Sequence, residues 1–131
     1  MREILFRGRT EKGDWCSGDA KTTKNGIEYI FPFGDFIGIK VIPETIGQFT
    51  GLTDKNGSKI FEGDIVKDEF GRIMEIVFRE RFVKFAFKLI KITGKKWTNN
   101  FLYADMKEWF LCDIPTVEVI GNIHDNPELL K

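Results

Sequence analysis

The sequence is short of the residues from which most catalytic and metal sites are built. It holds one histidine, His124, and two cysteines, Cys16 and Cys112, 96 positions apart. Zinc sites draw Cys and His in closely spaced pairs, so these three residues offer no metal-ligand spacing. Few cysteines and no leader point to a reducing cytoplasm, because "MREILFRGRT" is charged at positions 2, 3 and 7. No apolar run approaches the length that spans a membrane. Net charge is missing as well. Twenty Lys and Arg balance twenty Asp and Glu, which argues against a surface built throughout for nucleic acid.

What is present is apolar and aromatic. At 131 residues, 42% hydrophobic and 31% charged, the chain has the size and composition of one domain with a real core, not of a disordered segment. Phenylalanine dominates the aromatics, with 13 copies against 3 Trp and 2 Tyr. Aromatic and β-branched excess favours strands.

The pattern along the chain is strand-like almost throughout. Ile4 and Phe6 share a face of a first strand, and Ile27, Tyr29, Phe31 and Phe33 share one in "IEYIFPF". Gly34-Asp35 then suits a type II′ hairpin into "FIGIKVI", residues 36–42, and Asn25-Gly26 offers a similar turn upstream. "PETIGQF" has room for one helical turn before Gly47. In the second half Met74, Ile76 and Phe78 point one way, as do Val83, Phe85, Phe87 and Leu89, with Lys84 and Lys88 opposite. Residues 101–115 fit either a strand pair or a short helix. "TVEVIGNI" is a strand with Val117, Val119 and Ile123 on one side, and Asn126 is placed to cap a last turn opened by Pro127. The whole is expected to be one domain over 1–131, with two lobes meeting near residue 50.

"TGLTDKNGSKIFEGDIV", residues 50–66, has the composition of a phosphate or metal loop. A Walker loop fails because Gly57 and Gly63 are six apart and Asp64 follows where Lys is needed. An EF-hand on Asp54, Asn56 and Ser58 fails because Lys59 takes the obligatory glycine position and Ile65 the glutamate position. Asn56-Gly57 instead signals a type I′ hairpin, and "EGD" a tight turn entering a strand. On that reading Asp64 accepts hydrogen bonds from nearby amides and Gly57 takes positive φ. His124 lacks a partner for base catalysis and, beside the closing turn, reads as a surface or capping residue. Both cysteines read as small, buried or half-buried side chains in acidic surroundings that do not favour a thiolate. No catalytic, metal or cofactor-binding residue is named.

Charge is less even than its total. Residues 79–96 carry seven bases and one acid, and residues 105–131 carry six acids and two bases. Arg79, Arg81, Lys84, Lys88, Lys95 and Lys96, with Phe82 and Trp97 nearby, are candidates for contacts to nucleic acid or to a partner. The competing explanation is a strand surface kept soluble by lysine, or a basic face that meets the acidic segment.

Three stretches, "MREILFR", "VIPETIGQFTGLTDKNGSKIFEGDIVK" and "VEVIGNIHDNPELL", together resemble the YopX family, small proteins typical of phages and prophages of Gram-positive bacteria. The resemblance spans nearly the whole chain and implies a mostly β fold, a phage-derived origin and self-association. It brings no reaction, cofactor or catalytic residue. The expected fold is all-β, with hairpins, a small partly closed barrel and at most short helical turns. The expected function is that of a phage or prophage accessory protein without catalytic activity, acting through protein contacts or self-assembly. The alternative is a nucleic-acid-binding module using residues 79–96. Expected partners are copies of the chain itself and a phage or host protein, without cofactor or membrane.

Overall fold

The computed structural model describes residues 3–26, 28–33, 36–81, 83–93, 108–110 and 116–131. It divides into two compact units, Met1–Gly51 and Leu52–Lys131. The first unit contains β1 (Phe6–Arg9), β2 (Trp15–Thr22), β3 (Glu28–Phe31) and β4 (Ile39–Lys40), then a 3-10 turn at Pro43–Thr45. β5 (Gly47–Thr53) begins in the first unit and ends in the second. The second unit continues with β6 (Lys59–Phe61), β7 (Asp64–Asp68), β8 (Arg72–Arg79), β9 (Lys84–Ile92), β10 (Glu108–Phe110) and β11 (Val117–Asn122). A second 3-10 turn, Pro127–Leu130, follows. The fold is all-β, as the alternation predicts.

The strand pairs are antiparallel, in the order β4-β3-β2-β1-β5 in the first unit and β10-β9-β8-β7-β11 in the second. Among the described residues neither order returns to its first strand, so the expected partly closed barrel is corrected to open sheets. Closure needs two edge strands long enough to pair with each other. β4 offers only two residues before the chain turns away.

Most of these strands are joined by one kind of turn. In Thr10–Gly13, Thr23–Gly26, Asp54–Gly57 and Asp68–Gly71, the glycine N–H donates to the carbonyl of the first residue at 2.9–3.2 Å. Each of those glycines has φ between 77° and 93°. The side chain of the first residue often closes the loop further: Thr10 Oγ1 accepts from Asp14 N–H at 3.2 Å, and Asp54 and Asp68 each accept two backbone N–H groups. Asn56 lacks the positive φ that a type I′ turn requires at both central residues. The turn is therefore a three-residue loop with glycine alone in the left-handed region, not type I′, and the Asn25-Gly26 turn is of the same kind. The Gly34-Asp35 turn lies outside the described residues.

In the first unit Leu5, Ile30, Val41 and Phe49 are buried. Ile30, not the expected Tyr29–Phe31 face, is the strand's core residue. Phe31 is half-buried with the Lys21 ammonium 5.0 Å from its ring centre, and Phe33 is exposed. Likewise Leu5 is buried and Ile4 exposed. The expected strand 36–42 shrinks to Ile39–Lys40 because the chain then leaves its ladder. Val41 packs on Gly8, where an added Cβ would stand 2.8 Å from Val41 Cγ2. Ile42 N–H donates to Arg9 O at 2.8 Å, and the buried Thr45 hydroxyl accepts from Arg9 N–H at 2.8 Å while donating to Ile42 O at 2.6 Å.

In the second unit Ile60, Val66, Met74, Ile76, Phe87 and Val117 form the core, with Phe85, Leu89 and Val119 packed against it. That agrees with the sequence pattern except at Phe78 and Ile123, which are half-buried outside this cluster, and at Val83, which lies outside β9 and is exposed. At the last turn Asn126 occupies the cap position but makes no side-chain cap bond; its Oδ1 accepts from Asn122 N–H at 3.2 Å instead.

Candidate functional site

Two of the three acids of residues 50–66, Asp54 and Asp64, are turned toward the chain. Asp54 Oδ1 accepts from Asn56 and Ser58 N–H at 2.9 Å each, and Oδ2 accepts from Val119 N–H at 3.0 Å. Burial alone pushes this carboxyl up; the N–H groups of Val119, Ser58 and Asn56, with the Lys55 ammonium, outweigh that and hold it below its ordinary value. Asp64, almost fully buried, accepts from Phe61 N–H at 2.8 Å. Gly57 has φ 84° and Gly63 φ 90°. These acids are hydrogen-bonded to the backbone of their own unit, and Asp54 ties the 54–58 turn to β11.

One buried charge pair escaped the sequence reading. Asp68 and Arg72 are both buried, and the Arg72 Nε–H donates to Asp68 Oδ2. Asp68 Oδ1 also accepts from Phe70 and Arg72 N–H at 2.9 Å each. The available signal was an acid at the start of a D-x-x-G turn with a base four residues on.

Cys16 is half-buried, its Sγ 3.6 Å from Gly8 O, and burial pushes its thiol up, away from the thiolate. His124 sits in the Asn122–Asn126 turn, its N–H donating to Asn122 Oδ1 at 3.0 Å. Cys112 lies outside the described residues. Among the described residues no three His, Cys, Asp or Glu side chains group as metal ligands, and no helix is long and apolar enough to cross a membrane.

The basic candidates do not form one stripe. Arg79 ends β8 and stands opposite Lys84 at the start of β9, with exposed Arg81 in the turn between them. Lys88 lies further along, flanked in register by Glu75 on β8 and Glu108 on β10. Opposite charges placed across strands stabilise a sheet, an arrangement that the Glu75–Lys88 register provides. Phe82, Lys95, Lys96 and Trp97 lie outside the described residues.

Two surfaces of the first unit stand out. An open cleft of about 480 Å³ lies between the Thr10–Asp14 turn and Lys40–Pro43. Its rim mixes Glu11 and Asp14 with Lys12 and Lys40, so it favours neither charge. The second surface is apolar. Phe33, Phe36, Ile37 and Ile39 are 61%, 98%, 80% and 36% exposed, and among the described residues β4, at one end of its sheet, pairs only with β3. The sequence reading had assigned these residues to a hairpin.

The chain matches the model of the YopX protein family over residues 2–131. It belongs to the YopX family. The crystal structure of protein EF1440 from Enterococcus faecalis is similar to this YopX chain over 100% of both chains, with 26% identity and a TM-score of 0.51. No curated protein matches. These likenesses establish family and fold, and neither name carries a reaction. The functional reading of this YopX protein therefore rests on its surfaces.

Proposed function

We propose that this YopX-family protein is a small accessory protein of phage or prophage origin, without catalytic activity, which acts through protein contacts. Self-assembly is the first of these. The observation that carries the reading is the exposure of Phe33, Phe36, Ile37 and Ile39, which lie in β4 and in the segment that leads from β3 into it, with β4 at one end of its sheet. Contiguous apolar exposure of this kind marks protein contact sites, and an edge strand presents unpaired backbone groups to a second strand.

The area supports a second copy as the occupant. The two phenylalanines and two isoleucines together expose on the order of 500 Å², against the ~800 Å² per partner of a standard interface. A two-fold contact must be self-complementary. An apolar patch on an edge strand meets that condition, whereas a patch of one charge would repel its own copy. The phage assignment comes with the YopX resemblance, and a bacterial cytoplasm comes with that origin.

The test uses two differently tagged copies of the full chain expressed together. Wild-type copies are expected to co-purify, and Phe36→Asp with Ile37→Asp in both copies should abolish this without loss of fold. Failure of the wild-type copies to co-purify would refute self-assembly.

A further inference from the structure

The asparagines among the described residues are used in two ways. Asn122 Oδ1 accepts from His124 and Asp125 N–H, and its amide donates to Asp125 Oδ2 at 3.2 Å. Asn126 Oδ1 accepts from Asn122 N–H at 3.2 Å. By contrast Asn25 and Asn56 are exposed, their carboxamides make no hydrogen bond, and a glycine follows each. A free carboxamide is an electrophile for the nitrogen of the next residue. Pro127 has no N–H to give up, the β-branched Ile123 hinders approach to Asn122, and glycine hinders nothing.

The reaction at Asn56 consumes one water and releases one ammonia, with no change of oxidation state. The Gly57 nitrogen loses its proton to solvent and bonds to Asn56 Cγ, and the bond from Cγ to the amide nitrogen breaks. Water then opens the resulting five-membered imide. Cleavage on the side-chain side gives aspartate; cleavage on the backbone side gives isoaspartate, in which the main chain runs through Cγ and is one carbon longer.

The 54–58 turn governs both rate and result. Gly57 N–H donates to Asp54 O at 3.0 Å, and Asp54 Oδ1 holds Asn56 and Ser58 N–H at 2.9 Å each. These bonds occupy the attacking nitrogen and fix the backbone around it, so the turn must open before the ring closes. The same turn is docked on β11: Lys55 N–H donates to Val117 O and Asp54 Oδ2 accepts from Val119 N–H, both at 3.0 Å. Isoaspartate lengthens the turn by a carbon and sets a second carboxylate beside that of Asp54, which fits neither set of bonds.

We infer that Asn56–Gly57 is a self-modification site, at which slow conversion to isoaspartate releases the 54–58 turn from β11. Among the described residues β11 stands at one end of its sheet. Release bares the Val117 carbonyl and Val119 N–H, the kind of edge to which further strands add. This surface is separate from the β4 edge, so either proposal can fail alone.

Peptide mapping by mass spectrometry, with enzymatic detection of isoaspartate, tests it on the full chain and on a free peptide of residues 50–60 in warm neutral buffer. Isoaspartate is expected at Asn56 in both, more slowly in the chain. Conversion should be about tenfold faster in folded Asp54→Ala, which loses hydrogen bonds to a charged group, with Asp54→Asn between. In the isolated isoaspartate form the Val119 amide should exchange hydrogen about tenfold faster, with Val66 on β7 unchanged. An unconverted Asn56 in a chain whose free peptide converts, or a rate untouched by Asp54→Ala, would overturn the inference. So would a Val119 amide as protected in the isoaspartate form as in the fresh chain.

Discussion

Replacing Asp54 asks whether residues 50–66 serve the fold. Its carboxylate accepts three backbone N–H groups: two from its own turn and one from Val119, 65 residues away on β11. Asp54→Ala strands all three. The turn donors of Asn56 and Ser58 lie at exposed residues and can recover water, whereas the Val119 N–H lies within a strand. Hydrogen bonds to a charged group contribute about 1.5–3 kcal/mol each, and donors that regain water lose less than this, so the total cost should be roughly 2–4 kcal/mol. Asp54→Asn can keep one oxygen on the turn donors while its amide faces Val119 N–H, so about half that cost is expected. Lys55→Ala removes only an exposed 3.5 Å pair with Glu118 and should cost under ~0.5 kcal/mol. Urea unfolding of the three variants provides the comparison. A loss below ~0.5 kcal/mol in Asp54→Ala, or a metal-dependent rise in stability that the variant abolishes, would refute the reasoning.

The low folded-state value of Asp54 also sets a pH dependence. Its contribution is fully present well above the unfolded carboxylate value of about 3.9 and is lost as pH falls through the folded value; the acid limb of a stability-versus-pH curve should therefore be shallower in Asp54→Ala. Gly8→Ala puts a Cβ 2.8 Å from Val41 Cγ2 and should destabilise the first unit by about 1–3 kcal/mol, read by thermal unfolding. Arg72→Met leaves the Asp68 carboxylate buried without its guanidinium and should cost about 3–5 kcal/mol in urea, less if Asp68 is changed to Asn as well. Gly57→Val forces a β-branched residue to φ 84° and should cost about 1–3 kcal/mol, read by the same urea unfolding.

Which parts of the fold were legible follows from which signals are local. Period-two alternation placed Met74, Ile76 and Phe87 in the second unit's core because those strands bury one face steadily. It failed at Tyr29 and Phe31, where aromatic rings lie half-exposed beside Lys21 and the smaller Ile30 fills the interior. It failed again at residues 36–42, because whether an apolar run pairs or stays at an edge depends on tertiary neighbours such as Gly8. The Asn-Gly steps announced turns correctly but not their type, because Asn25 and Asn56 stay out of the left-handed region and glycine alone enters it. The inward use of Asp54 and Asp64 was readable from motif failure.

Light scattering after size exclusion, on the wild-type chain and on the Phe36→Asp, Ile37→Asp double variant, tests self-assembly through the β4 edge most directly. Both changes fall at highly exposed positions, 98% and 80%, so the fold should survive them. The wild-type chain is expected to scatter as at least twice its 15.2 kDa mass at high micromolar concentration, and the variant as 15.2 kDa. A wild-type species of 15.2 kDa, or an assembly unchanged in the variant, would contradict the proposed use of the edge.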